Sequence, residues 1–105
     1  MKTIINGKRY DTDKADLIDE ARGGNGPGDF SFWEAGLYRT QKSKTCFLAG
    51  KGGAMTQWAT HHSDGGRSGG SGITPLSRED ALAWAEQNLT TQEVEAGFGD
   101  VIEEA

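Results

Sequence analysis

The placement of glycine is the feature that most restricts what this chain can fold into. Sixteen of its 105 residues are glycine, and they gather mainly in three clusters, at 23–28, 50–53 and 65–72. Glycine favours turns and weakens the interiors of helices and strands. The clusters therefore divide the chain into short segments, and they indicate loops and turns rather than an internal repeat.

Short segments rich in β-branched and aromatic residues predict most of the strands. "TIINGKRY" is typical of a hairpin, because Asn6-Gly7 tolerates the positive φ of a tight turn. "FSFWEAGLYRTQ", "KTCFLAG" and, from its alternation, "AMTQWAT" are expected to be strands. "ITPL" is expected at a sheet edge, because Pro75 cannot donate to a ladder. "SDGGRSGGSG" is expected to be a flexible connection.

The segment "YDTDKADLIDEAR" has a helical pattern near the start of the chain. Ala15, Ile18 and Ala21 form an apolar stripe at helical spacing, and either Asp11 or Thr12 can cap the first turn. We therefore expect a helix here, ended by the glycines that follow. On that helix the carboxylates would form an exposed row.

The clearest helix is predicted near the other end, in "SREDALAWAEQNL". Ser77 is an N-cap with Asp80 three residues on, and Leu82 and Ala85 belong to the apolar stripe, with Trp84 beside it in the core. "TTQEVEAGF" then predicts one or two further helical turns. Residues 100–105 are expected to fray.

Together these elements predict an α+β fold. The expected architecture is a small antiparallel sheet of about four strands with two or three helices packed on one face, in a single domain over residues 1–105. No apolar run approaches the roughly 18 residues of a membrane span, and the first residues lack the apolar core of a signal peptide. Cys46 stands alone, so we expect no intrachain disulfide, and one buried thiol suits a reducing cytosol. We expect a monomer in the cytoplasm.

Charge is distributed unevenly along the chain. Residues 77–105 have a net charge of −7 and residues 36–67 a net charge of +4, within a total of −5. Such a dipolar chain is a poor general nucleic-acid binder, and its acidic pole would attract a basic partner. The alternative is that the acidic segment is an ordinary solvated helix.

Two motifs in "FLAGKGGAMTQWATHHSDGG" suggest chemistry but lack its context. Gly50-Lys51-Gly52-Gly53 has neither the following Ser or Thr nor the helix that a phosphate loop requires. Adjacent His61 and His62 would point to opposite faces of a strand, and no cysteine pair is available to complete a metal site. Cys46 lies in an apolar strand, where a thiol is usually buried and inert. We therefore expect no enzyme activity, no metal and no cofactor.

Several segments, "IINGKRYDTD", "LYRT", "GKGGAMTQWA" and "ITPLSREDALAWAEQNL" with a final "FG", carry a resemblance that covers residues 3–99. The chain resembles a family of small acidic proteins of bacterial mobile elements and phages associated with anti-CRISPR activity against type I systems. That resemblance implies a non-enzymatic inhibitor whose partner is a protein, a basic surface of a type I CRISPR effector complex, and which does not bind nucleic acid directly.

Charge, rather than a motif of that family, selects the residues expected to contact the partner. They are the carboxylates of the two predicted helices and the segment that follows: Asp13, Asp16, Asp19, Glu20, Glu79, Asp80, Glu86, Glu93 and Glu95. Rows of carboxylates at helical spacing could occupy Lys and Arg sites built for phosphates. A second hypothesis remains open, in which the chain is an interaction or regulatory protein of a mobile element with another protein partner.

Overall fold

The computed structural model describes residues 1–26, 28–100 and 102–105 and shows the expected α+β architecture. In chain order the strands are β1 (Lys2–Ile5), β2 (Lys8–Asp11), β3 (Ala15–Gly23), β4 (Trp33–Thr40), β5 (Cys46–Gly52), β6 (Thr60–His61), β7 (Arg67–Ser68) and β8 (Gly70–Leu76). The helices are α1 (Arg78–Asn88) and α2 (Thr91–Phe98), and one 3-10 turn covers Thr12–Lys14. The main sheet has four antiparallel strands in the order β3-β4-β5-β8, and β1-β2 and β6-β7 are separate hairpins.

One face of the main sheet packs against both helices and forms the core. Leu37 of β4 and Leu48 of β5 lie opposite each other and are almost fully buried. The helices contribute the small Ala81 and Ala85 and the larger Val94 and Phe98. Small side chains on α1 let the helix approach the sheet closely.

The opposite face of the sheet is covered only in part, by the first hairpin. Phe47 of β5 is fully buried there, between Tyr38, which stacks on it at 5.4 Å, and Tyr10 of β2, which meets it edge-on at 5.4 Å. Leu17 lies beside Gly36 on this face and is 47% exposed. The aromatic trio thus anchors the hairpin and leaves the rest of the face open.

The prediction of a helix over "YDTDKADLIDEAR" is wrong. The segment forms the 3-10 turn and then β3, which pairs with β4 from Ala15 opposite Thr40 to Gly23 opposite Trp33. A β-bulge between Leu17 and Asp19 shifts the register by one residue. Because the bulge breaks the two-residue alternation, Ile18 and Ala21 both face the helices although they are three residues apart. This spacing is the helical stripe that the sequence displayed.

The prediction of a strand over "AMTQWAT" is also wrong. Residues 54–58 form turns that return Trp58 to the core, where it is 6% exposed. Its indole lies over Gly50, so closely that a Cβ at that position would stand 2.6 Å from the ring. Lys51 of the suggestive Gly-Lys-Gly-Gly motif is exposed on β5. The glycines of this motif therefore make room for packed neighbours. The connection after residue 62 contains β7, so that it is only partly irregular.

Local signals of turns and caps are confirmed. Asn6 and Gly7 have φ of 52° and 78° in the β1-β2 turn. The Ser77 hydroxyl accepts a hydrogen bond from the Asp80 N–H at 3.0 Å, and α1 ends at Asn88 as expected. The edge position of "ITPL" is confirmed in β8, and Trp84 packs against the core but stays half-buried. No helix among the described residues is long and apolar enough to cross a membrane.

The contact between Trp58 and Gly50 yields a first prediction. Gly50→Ala should destabilise the fold by about 1–3 kcal/mol, because the added methyl group would meet the indole and the Glu34 carbonyl at 2.6–2.8 Å. Urea unfolding at equilibrium measures the loss.

The matched control is Gly72→Ala. Gly72 lies directly opposite Gly50 on β8, yet a Cβ there has no atom within 4 Å. This variant should match or slightly exceed the parent in stability, because alanine restricts the unfolded chain more than glycine does. Equal stabilities of the two variants would contradict the packing account of the glycine cluster.

Candidate functional site

The first four candidate carboxylates lie on a turn and a strand instead of a helix. Asp13 is in the 3-10 turn and is exposed. Asp16 is opposite Arg39 and Asp19 is opposite Leu37, on the side of the helices, whereas Glu20 is opposite Gly36 on the other side of the sheet. The exposed helical row expected from the sequence therefore does not exist, and β3 presents carboxylates on both of its faces.

A groove between β3 and α2 brings three of the nine candidates together. Asp16, Asp19 and Glu93 line it, with Arg39 and Lys44 as the basic residues, and its volume is ≈ 540 Å³. Arg39 is already engaged, because its Nη2 donates to the Gly97 carbonyl at 2.8 Å and its guanidinium lies 5.9 Å from the centre of the Phe98 ring. The bulge at Ile18 builds this groove, since it turns Asp19 toward α2 while Ile18 packs on Gly97.

Hydrogen bonds fix the position of Glu93 at the start of α2. Its Oε1 accepts the Thr90 N–H at 2.9 Å, and the Thr90 hydroxyl accepts the Glu93 N–H at 3.2 Å, which forms a reciprocal capping box. The pKa of the Glu93 carboxyl is lowered, chiefly by the Thr90 backbone N–H and then by hydrogen bonds with the side chains of Asp19 and Thr90. Glu93 is thus held in place as an anion beside Asp19.

The remaining carboxylates are spread over the helix layer. Glu79 and Asp80 occupy the first turn of α1, where the helix dipole favours negative charge. Glu86 and Glu95 flank a smaller depression between the helices, whose apolar lining includes Val94 and Ile102. The nine candidates therefore form no single patch: three meet in the groove, Glu20 and Asp13 lie off it, and four follow the helices.

Few of these charges are neutralised within the protein. Among the described residues there is one ion pair, in which Lys51 Nζ lies 3.1 Å from Glu34 Oε1 on the partly open face of the sheet. Asp16 instead accepts a hydrogen bond from the Gln41 amide at 3.2 Å, and Asp19 accepts the Glu20 N–H at 2.8 Å. The carboxylates of the groove and of the helices are consequently available to a basic partner.

The histidine motif forms part of the β6-β7 hairpin. His61 is opposite Arg67, and the His62 ring Nε2 lies 3.0 Å from the Ser68 hydroxyl, both on an exposed turn. Among the described residues no group of three or more potential ligands could hold a metal ion. Cys46 is buried, and this burial raises the pKa of its thiol, which keeps it protonated.

An uncharged surface that the sequence did not single out lies on the loops before β4 and after β5. Phe30 is 68% exposed and Met55 is 73% exposed, and the Met55 N–H donates to the Phe30 carbonyl at 2.8 Å. The sequence signal that could have indicated this surface is the presence of apolar side chains inside glycine-rich loops. Their proximity depends on how the two loops pair, which the sequence does not display.

Comparison with known proteins adds no relative to this description. No family model, no curated protein and no solved structure matches the chain.

The depressed pKa of Glu93 predicts a pH dependence of stability. Its folded-state pKa lies below the ordinary value of 4.5, so its stabilising effect is present above that value and is lost as the pH falls through the folded pKa. The unfolding temperature of the parent should therefore drop more steeply below pH 4.5 than that of Glu93→Gln, which keeps an amide oxygen for Thr90 but cannot titrate. Parallel curves for the two proteins, measured by circular dichroism, would refute the assignment.

The exposed hairpin predicts that the histidines can be removed. The double variant His61→Ala/His62→Ala should unfold within a few degrees of the parent and keep its binding activity, because neither ring is buried or joined to a ligand set. Thermal unfolding serves as the folding control. A folded double variant that has lost its binding activity would show that the hairpin belongs to the functional surface.

Proposed function

We propose that this protein is a non-enzymatic inhibitor that binds a basic surface of a type I CRISPR effector complex and blocks target DNA binding. The observation that carries the proposal is the set of unneutralised carboxylates on β3, α1 and α2, three of which, Asp16, Asp19 and Glu93, meet in the groove. The resemblance of the sequence to the mobile-element family supplies the identity of the partner.

The chemistry of the groove supports a partner rich in arginine or lysine. A guanidinium binds a carboxylate through two parallel hydrogen bonds, with the geometry that it also uses for phosphate. Glu93 is held by its capping box, so it is ordered before a partner arrives. Ordered groups lose less conformational entropy on binding than mobile ones.

The distribution of charge supports rapid and salt-sensitive association. Of the net charge of −7 over residues 77–105, −4 lies on α1 and α2 and −3 on the residues that follow α2. Such a pole steers a basic partner by long-range attraction, which is screened beyond about 8 Å at physiological ionic strength. A protein surface has no condensed counterion layer to release, so the salt dependence should be shallower than that of DNA itself.

The second hypothesis, an interaction or regulatory protein of a mobile element with another protein partner, requires the same surface. A pull-down with a purified type I effector complex, with DNA binding measured alongside, separates the two. Capture of the complex together with loss of its DNA binding supports the inhibitor hypothesis. If the effector complex does not bind the protein, the hypothesis of another protein partner is favoured.

Charge reversal tests which carboxylates make the contact. Asp16→Lys with Glu20→Lys changes β3, and Glu79→Lys with Glu86→Lys changes α1; all four side chains are exposed, so the fold should survive. We expect the β3 pair to weaken competition with DNA by at least about tenfold, which corresponds to about 1.4 kcal/mol. The α1 pair should act mainly on the association rate, and its effect should fade at high salt.

The competition is measured at two salt concentrations, with circular dichroism as the folding control. If both folded variants compete as well as the parent, the acidic surface is not the contact. The uncharged surface of Phe30 and Met55 would then take its place.

A further inference from the structure

The hydrogen bonds of the sheet show which backbone groups of β3 are free. At the two ends of the β4-β5 pair, the Thr40 N–H donates to the Thr45 carbonyl at 2.9 Å and the Gly53 N–H donates to the Phe32 carbonyl at 2.8 Å. Even-numbered residues of β4 therefore direct their backbone groups toward β5, and odd-numbered ones toward β3.

The residues of β3 follow from this alternation. Asp19 and Ala21 lie opposite Leu37 and Ala35, so their backbone groups bond to β4. Glu20 and Arg22 lie opposite even-numbered residues of β4, as does Leu17, so their N–H and C=O groups point away from the sheet. β3 is the last strand in the sheet order, and no other strand of the described residues pairs with this side.

Two depressions adjoin β3. Residues 16–19 line the groove beside α2, and residues 19–22 line a cleft of ≈ 620 Å³. Consecutive residues of a strand point to opposite faces. The groove therefore reaches the edge of β3, where the free backbone groups lie, whereas the cleft also extends over the partly open face of the sheet, since Tyr38, Ala49 and Lys51 line it too.

One side chain occupies this edge in the unbound protein. Asp19 Oδ1 accepts the outward N–H of Glu20 at 2.8 Å, and Asp19 lines the groove together with Glu93. The other edge of the sheet is closed differently. Pro75 lies opposite Phe47, and the same alternation directs its ring nitrogen outward, so this position of β8 offers no donor.

We propose that the free edge of β3, residues 16–22, is where an extended basic segment of the partner adds as a fifth strand. On addition, a carbonyl of the incoming strand replaces Asp19 as the acceptor of the Glu20 N–H. The freed Asp19, with Asp16 and Glu93, then pairs with the basic side chains that the incoming strand directs toward α2. This inference rests on the proposed function, of which it specifies the form of the partner.

Charge selects a basic segment over a second copy of this chain. The edge residues carry three carboxylates, on Asp16, Asp19 and Glu20, against the single positive charge of Arg22. Residues 16–22 have a net charge of −2 and the whole chain has −5, so two copies would repel each other overall, although an antiparallel pairing could place Glu20 opposite Arg22. A strand with Lys or Arg at alternate positions places opposite charges there instead, and its main chain supplies hydrogen bonds, as in other cases of strand addition.

The test is Arg22→Pro, with Arg22→Thr as the matched control. Both remove the same positive charge, which should favour a basic partner, but only proline removes the outward N–H and crowds the edge. Using the purified type I effector complex as the probe, we expect Arg22→Thr to bind within about twofold of the parent. Arg22→Pro should lose about tenfold or more, as expected for one main-chain hydrogen bond and the contacts around it.

Amide hydrogen exchange of the parent in the complex provides a second measurement that does not depend on a proline variant folding. The amides of Glu20 and Arg22 should become protected on binding, and those of Asp19 and Ala21, already bonded to β4, should change little. Equal binding of the two Arg22 variants, or no new protection at Glu20 and Arg22, would overturn strand addition.

Further outcomes separate this inference from the proposed function. If the charge-reversed variants lose binding while Arg22→Pro matches Arg22→Thr, the acidic surface stands and strand addition falls. If the parent itself does not bind the effector complex, both proposals fall. A dimer of the parent that Arg22→Pro dissociates would make a second copy the occupant of the edge and would overturn the choice of a basic segment.

Discussion

The bulge at Ile18 is the constraint on which the arrangement of this molecule depends. A regular strand would alternate through the segment and turn either Ile18 or Asp19 away from the helices. The extra residue lets both face α2, so that Ile18 packs on Gly97 and Asp19 reaches Glu93. One irregularity thus joins the second helix to the sheet and builds the acidic groove at the same place. It also adds local twist to an edge strand, which discourages indiscriminate pairing.

The glycines make a second contribution, on the helix-facing side of the sheet. Gly50 lies opposite Gly72, and Gly52 lies opposite Gly70, so no side chains project from the sheet at these four positions. The loop after β5 fills the space with Trp58, whose Nε1 is buried without a hydrogen-bond partner among the described residues. A large apolar surface therefore packs on bare backbone, and the indole nitrogen bears the cost of its desolvation. The composition that first indicated loops is in part a requirement of the core.

Features that depend on neighbours in sequence could be predicted, and those that depend on pairing could not. The Asn6-Gly7 turn and the Ser77 and Thr90 caps are local, because each is satisfied within a few residues. The α+β class followed from such elements together. That β3 is a strand could not be predicted, because its bulge gives the apolar residues a helical spacing. The segment is a strand because it pairs with β4 along the whole length of that strand. The carboxylates could be named from the sequence, but their division between two faces required the register.

The two edge strands of the sheet, β3 and β8, block unwanted strand pairing in two different ways. An unpaired strand edge is a template for association, and proteins commonly block it with proline, charge or a bulge. β8 uses Pro75, which removes a donor for good. β3 uses the Asp19 carboxylate, which satisfies the Glu20 N–H at 2.8 Å and which, in the proposed complex, pairs with a basic side chain instead. A proline blocks the edge whatever the charge of the approaching strand. A carboxylate attracts a basic strand and repels an acidic one. Under the proposed strand addition, the edge therefore favours a partner of opposite charge over an acidic one.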